Sequence, residues 1–126
     1  MSYDFIPAAK PIIGDDERAA VDAVLATGML AQGTQVAEFE KEFSDVLLDG
    51  RSSVAVNSGT SGLHLGLLAS GVGPGDEVIV PSFTFAATGN SVALTGATPV
   101  FADIELDQYT LDVDNVASLI TDKTKG

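Results

Sequence analysis

The stretch SVAVNSGTSGLHLGLLASGVGPGDEVIVP, residues 53–81, decides the fold. It opens with a β-branched, strand-like piece, VAV at 54–56. A helix carrying Leu63, Leu67 and Leu68 follows and stops at Gly71. GVGPGDE, 71–77, is a turn cluster, and VIVP, 78–81, is an uninterrupted β-branched run of the kind expected for a strand covered on both faces. Between the first strand and its helix stand Asn57, Ser58, Gly59, Thr60 and Ser61, although an ordinary helix cap needs one such group.

Outward from this stretch the same grammar repeats. On the N-terminal side, Asp15 or Asp16 is expected to cap a helix with Ala20, Val21, Val24 and Leu25 on one face, ending at Gly28. Thr34 is expected to cap a second helix, with Val36, Phe39, Phe43, Val46 and Leu47 on one stripe and Gly50 ending it. On the C-terminal side a helix is expected from about Phe85 to Gly96, then a third strand, PVFADI at 99–104. Asp114 is expected to cap a last helix holding Val116, Leu119 and Ile120, followed by the polar TDKTKG. The order helix, helix, β, α, β, α, β, α argues for an α/β fold with a parallel sheet. Such a pattern normally runs on into another strand, so the 126 residues read as a piece of a longer enzyme.

Composition narrows the function. A hydrophobic content of 45% suits a folded domain. A formal net charge of −12, from 18 acidic and 6 basic residues, opposes nucleic-acid binding. No apolar run reaches the roughly 18 residues of a membrane span. The N-terminal MSYDFIPAAKPII lacks the basic start and apolar core of a secretory leader, and there is no cysteine, which together favour a cytoplasmic location. An anionic ligand must therefore be held by local groups rather than by the overall field.

The loop at 57–61 supplies such groups. The first turn of a helix has unpaired N–H groups and a partial positive charge. Gly59 permits close approach to the backbone, and Thr60 and Ser61 add hydroxyls, so the loop suits a phosphate beyond the carboxyl end of a strand. The same residues also suit a plain cap, with Ser58 or Thr60 as the capping residue. Neither a Walker loop nor a Gly-x-Gly-x-x-Gly fingerprint is present. PSFTFAATGN, 81–90, occupies an equivalent strand end, and Phe83 or Phe85 there could stack on a planar heterocycle or pack into the core.

Taken together, IPAAKPIIGDDERAAVDAVLATG, QVAEFEKEF, the long stretch from VAVNSGTSG to FTFAATGNSV, and GATPVFADIELDQYTLD resemble the N-terminal part of the DegT/DnrJ/EryC1/StrS family. These are pyridoxal-phosphate-dependent sugar aminotransferases of fold type I, and the order and spacing of the motifs make the match specific. The resemblance implies that residues 1–126 are the N-terminal portion of the major domain, with a partial parallel sheet and flanking helices. It implies pyridoxal 5′-phosphate (PLP) as cofactor, its phosphate on Gly59, Thr60 and Ser61 and its ring on Phe85, while Phe83 packs inside. GMLAQG, 28–33, matches the segment shaping the sugar-nucleotide pocket, which makes Met29 and Leu30 candidate substrate contacts. The family often has an aromatic residue and a threonine there, where this chain has Met29 and Ala31.

In the family strands from later sequence separate the VAV strand from the other two. The Schiff-base lysine also lies beyond residue 126. Lys10, Lys41, Lys123 and Lys125 do not sit on a loop at a strand's carboxyl end, so no catalytic residue is assigned and residues 1–126 alone are expected to be inactive. His64 and Asp103 are assigned structural roles. The implied reaction moves an amino group from glutamate to a nucleotide-linked keto-sugar in a homodimer. The alternatives are a sugar dehydratase of the same family and a non-catalytic phosphate- or nucleotide-binding module.

Overall fold

An acidic cluster opens the first helix. In the computed structural model, which describes residues 6–7 and 9–126, α1 is Asp15–Thr27 and α2 is Thr34–Leu47. Residues 1–5 and 8, part of the stretch read above for a leader, lie outside the described residues. The start of α1 is not capped by Asp15 or Asp16. Gly14 is the N-cap, and its N–H donates to Glu17 Oε2 at 2.6 Å. A glutamate at the third helical position can reach back in this way, whereas the two aspartates, already inside the first turn, can only favour the helix dipole. Gly28, at φ 69°, ends α1 as expected, its N–H donating to Leu25 O at 3.1 Å. Thr34 likewise is the first residue of α2 rather than its cap, a place taken by Gly33.

The chain divides into two units, Met1–Ala55 and Val56–Gly126. In the first, Ser44 is the only buried residue among those described. The stripe of α2 forms, and the rings of Phe39 and Phe43 meet at 5.9 Å, yet Phe39, Phe43, Val46 and Leu47 all stay exposed. What ties residues 53–55 to α2 is polar. Ser44 Oγ and Ser53 Oγ both donate to Glu40 O, at 2.7 and 2.9 Å, and the Ala55 N–H donates to Glu40 Oε1 at 2.7 Å. The expected strand at 54–56 is thus corrected. It has no ladder partner among the described residues, and a carboxylate takes the place a neighbouring strand would fill.

The second unit holds α3 (Gly59–Ala69), β1 (Glu77–Pro81), α4 (Ala87–Leu94), β2 (Thr98–Ala102) and α5 (Val113–Leu119). β1 and β2 are parallel, Glu77 standing opposite Thr98 and Pro81 opposite Ala102. The other edge of β1 is occupied by the polar C-terminal residues. Glu77 N–H donates to Lys123 O, Lys125 N–H to Glu77 O and Ile79 N–H to Gly126 O, each at 2.8 Å. Residues 123–126 therefore run parallel to β1 rather than trailing as a polar tail.

Val72, Val78, Val80, Val92 and Ala97 form the core, with Leu67 against them. Burial along β1 alternates: Val78 and Val80 are buried, Glu77, Ile79 and Pro81 half-buried. One face of the strand is closed and the other only partly, which corrects the two-sided burial expected of VIVP. α4 packs along α3 and on both strands, and α5 packs along β2. Gly89 permits the α4–β2 approach, since a Cβ there would come within 3.1 Å of Phe101 Cζ. Gly96 turns the chain at φ 86°, and a Cβ would stand 2.9 Å from Pro74 Cγ. α5 is capped by Asp112, not Asp114: Asp112 Oδ1 accepts from Asp114 N–H at 2.9 Å and Asn115 N–H at 3.1 Å. The helix begins two residues earlier than expected, which leaves Asp114 inside its first turn.

Candidate cofactor-phosphate site

The 57–61 loop folds as a linked network. Ser58 is the N-cap of α3 and its Oγ accepts from Ser61 N–H at 3.2 Å. Ser61 Oγ donates to Asn57 Oδ1 at 2.7 Å and lies 2.9 Å from Ser58 Oγ. Gly62 N–H donates to Ser58 O at 3.1 Å. Ser58, one of two cap candidates, is the cap, and Thr60 is not.

The network divides the expected phosphate ligands. Both donors of Ser61 are committed within the loop, so this side chain as placed offers an oxygen rather than a proton. The Gly59 N–H, the Thr60 N–H and the Thr60 hydroxyl have no acceptor among the described residues. They face the positive end of α3. Gly59 has neither a positive φ nor a neighbour within 4 Å of a notional Cβ, so internal packing and backbone conformation leave glycine unexplained there. Glycine in a helix costs roughly 0.5–1 kcal/mol relative to alanine. Two N–H groups without acceptors at the head of a helix are what an approaching oxyanion uses. Asn57 and Ser58, which fix Ser61, were not among the sites read from sequence. An Asn and a Ser directly before a helix were the available signal.

Phe85 lies on the turn between β1 and α4 and is 81% exposed. Burying such a ring is worth about 1.5–3 kcal/mol, so a flat partner would be favoured there. Phe83 does not pack inside. It is 68% exposed and its ring stands 5.8 Å from that of Tyr109. Met29 and Leu30 lie in the first unit, after α1. With Ala20, Ala23, Val24 and Thr27 they line a cleft of about 620 Å³ with no charged side chain. His64 is half-buried in the body of α3.

Lys41 offers no activated amine. Lys41 is ion-paired with Asp45, and the hydrogen bond to that carboxylate raises its pKa. A nucleophilic lysine needs the opposite shift. Asp103 is tied by its backbone, donating to Asn115 Oδ1 at 2.9 Å and accepting from Asp112 N–H at 3.0 Å, while its carboxylate is exposed. No group of three or more metal-binding side chains occurs among the described residues, and no helix among them is long and apolar enough to cross a membrane.

Known proteins resemble this chain along nearly its whole length. The family model described as the DegT/DnrJ/EryC1/StrS aminotransferase family matches residues 11–126. The spore coat polysaccharide biosynthesis protein SpsC of Bacillus subtilis is 44% identical over 122 residues, covering 97% of this chain and 31% of that protein. A Streptococcus pneumoniae protein assigned as a sugar aminotransferase, solved with PLP and in its pyridoxamine form, superposes with a TM-score of 0.87 at 38% identity, over 94% of this chain and 30% of its own. An aminotransferase from Psychrobacter cryohalolentis gives a TM-score of 0.82 at 35% identity, over 93% and 30%. The chain thus spans about a third of the length of the curated relative it matches.

Proposed function

Because this chain belongs to the DegT/DnrJ/EryC1/StrS aminotransferase family, we propose that it is the portion of a PLP-dependent sugar aminotransferase that holds the cofactor phosphate. The observation that carries the reading is the pair of N–H groups at Gly59 and Thr60 that have no acceptor among the described residues, at the positive end of α3. In this reading residues 1–126 are the N-terminal part of the major domain. Gly59 and Thr60 donate to the phosphate. Ser61 is held ready by Asn57 and Ser58, and turning its hydroxyl outward would add a further donor. Phe85 covers one face of the pyridine ring and excludes water from it.

When bound, PLP supplies the electron sink for moving an amino group. The substrate is a nucleotide-linked keto-sugar, the donor glutamate, and the working form a cytoplasmic homodimer, with Met29 and Leu30 at the sugar-nucleotide pocket. The relation to SpsC supports a product destined for a polysaccharide. In this reading the Schiff-base lysine lies beyond residue 126, so residues 1–126 alone do not transaminate.

The test is the intact mass of the protein purified from its source after borohydride reduction. One reduced pyridoxyl group, mapped to a lysine outside residues 1–126, is the expected result. A protein carrying no such group, which binds free phosphate or nucleotide instead, would replace the aminotransferase with a binding module.

A further inference from the structure

Phe83 and Tyr109 have no part in the site described so far. Their rings stand 5.8 Å apart, tilted by 45°, yet they are 68% and 61% exposed. The core therefore does not press them together. Tyr109 also has φ 58°, a left-handed conformation shared among described non-glycine residues only with Asp49. A short polar side chain such as aspartate tolerates that region, whereas a bulky ring is an outlier there.

Such an outlier persists where its surroundings over-determine it. Tyr109 N–H donates to Glu105 O at 2.9 Å and Glu105 N–H to Thr110 O at 2.8 Å. Ile104 and Leu111 form an antiparallel bridge. Asp112 N–H donates to Asp103 O at 3.0 Å, and Asp103 N–H to Asn115 Oδ1 at 2.9 Å. Residues 103–112 are thus a hydrogen-bonded arm at the end of β2 that presents the Tyr109 ring.

The turn that carries Phe85 is tied differently. Ser82 N–H donates to Ala102 O at 2.8 Å, and Phe85 O accepts from Thr88 N–H at 2.9 Å. Between these anchors, residues 83 and 84 have no backbone hydrogen bond among the described residues. Thr84 is held through its side chain, its Oγ1 lying 3.0 Å from Thr88 Oγ1, and the restraint on residue 83 is the ring contact from Phe83 to Tyr109. We infer that Tyr109 is a positioning residue for the cofactor site: from the hydrogen-bonded 103–112 arm it braces Phe83 and so fixes the turn that presents Phe85 to a planar heterocycle. This inference rests on the reading of Phe85 as the ring platform.

The experiment is an equilibrium titration of the cofactor-free, full-length protein with PLP, joined to the visible circular dichroism of the bound cofactor, which reports its orientation. The variants are Tyr109→Asn, Tyr109→Phe, Phe85→Ala and the double Tyr109→Asn/Phe85→Ala. Asparagine adopts positive φ readily, so the Tyr109→Asn variant keeps its fold, with an unchanged or higher thermal midpoint, while losing the ring. PLP affinity is expected to fall about fivefold in that variant, the scale of one aromatic pair, with a weaker dichroic band. Tyr109→Phe restores both. Phe85→Ala weakens PLP at least as much, and the double variant is no worse than Phe85→Ala alone, because the brace acts through Phe85.

If Tyr109→Asn binds PLP as wild type while Phe85→Ala does not, the brace is wrong and the platform stands. If the losses simply add, Tyr109 acts elsewhere and the brace is also wrong. If Phe85→Ala binds PLP like wild type, the platform reading falls and the brace goes with it.

Discussion

The two units of this chain are held by different forces. Val56–Gly126 has a valine cluster, parallel pairing on both edges of β1 and helices packed on the sheet. Among the described residues of Met1–Ala55, no hydrophobic side chain is buried, and residues 53–55 are joined to α2 through Glu40, Ser44 and Ser53. Apolar packing is collective and needs layers, so a unit with two helices and no layer relies on individual hydrogen bonds. The same kind of side chain should therefore matter very differently in the two units.

The largest effect expected is at Gly96. Gly96→Ala sets a Cβ against Pro74 at a positive φ, and about 3 kcal/mol of stability should be lost, as measured by urea unfolding followed on the second unit's amides. Val92, 1% exposed, comes next: Val92→Ala should cost about 2 kcal/mol by the same measurement. In the first unit the order of residue types inverts. Glu40→Ala, which leaves the Ala55 N–H without its acceptor, should cost about 1.5 kcal/mol, whereas Phe39→Ala should stay within about 0.5 kcal/mol. Hydrogen exchange at Ala55 checks the first directly. If Phe39→Ala proves the costlier of the two, the contrast between the units is wrong. Ser58→Ala at the head of α3 should cost about 1 kcal/mol of cap stability.

The smallest effect is a titration. The Gly14 N–H lowers the pKa of Glu17. A depressed carboxylate contributes stability that is present above its unfolded pKa, about 4.3, and lost as pH falls through the folded value. The amide shift of Gly14 should follow that loss on acidification, and Glu17→Gln should abolish it.

These contrasts also explain what could be read from the sequence. The helices at 15–27, 34–47 and 59–69 and the strands at 77–81 and 98–102 announce themselves by period, by Gly28 and Gly71, and by β-branched runs. The caps were misplaced at Asp15, Thr34 and Asp114 because a polar residue inside the first turn looks like one just outside it, and only backbone geometry separates them. The pairing of residues 123–126 with β1 was invisible because main-chain bonds hold it and no apolar alternation marks it. The piece at 54–56 was legible as strand-like, but among the described residues it has no ladder partner and is held by Glu40 instead, which local sequence does not reveal. At the site, Gly59 and Thr60 stood out by composition. The commitment of Ser61 to Asn57, the exposure of Phe83 and the left-handed Tyr109 are tertiary facts without a local signature.

The most direct test of the central claim compares two ligands that differ by one group. PLP and pyridoxal, which lacks the phosphate, would be titrated against the wild-type protein and against Thr60→Val, which keeps shape but loses the hydroxyl. A hydrogen bond to a charged group contributes about 1.5–3 kcal/mol, so PLP affinity should fall roughly tenfold or more while pyridoxal affinity stays the same. Equal losses for both ligands, or none for either, would contradict a phosphate held at the head of α3.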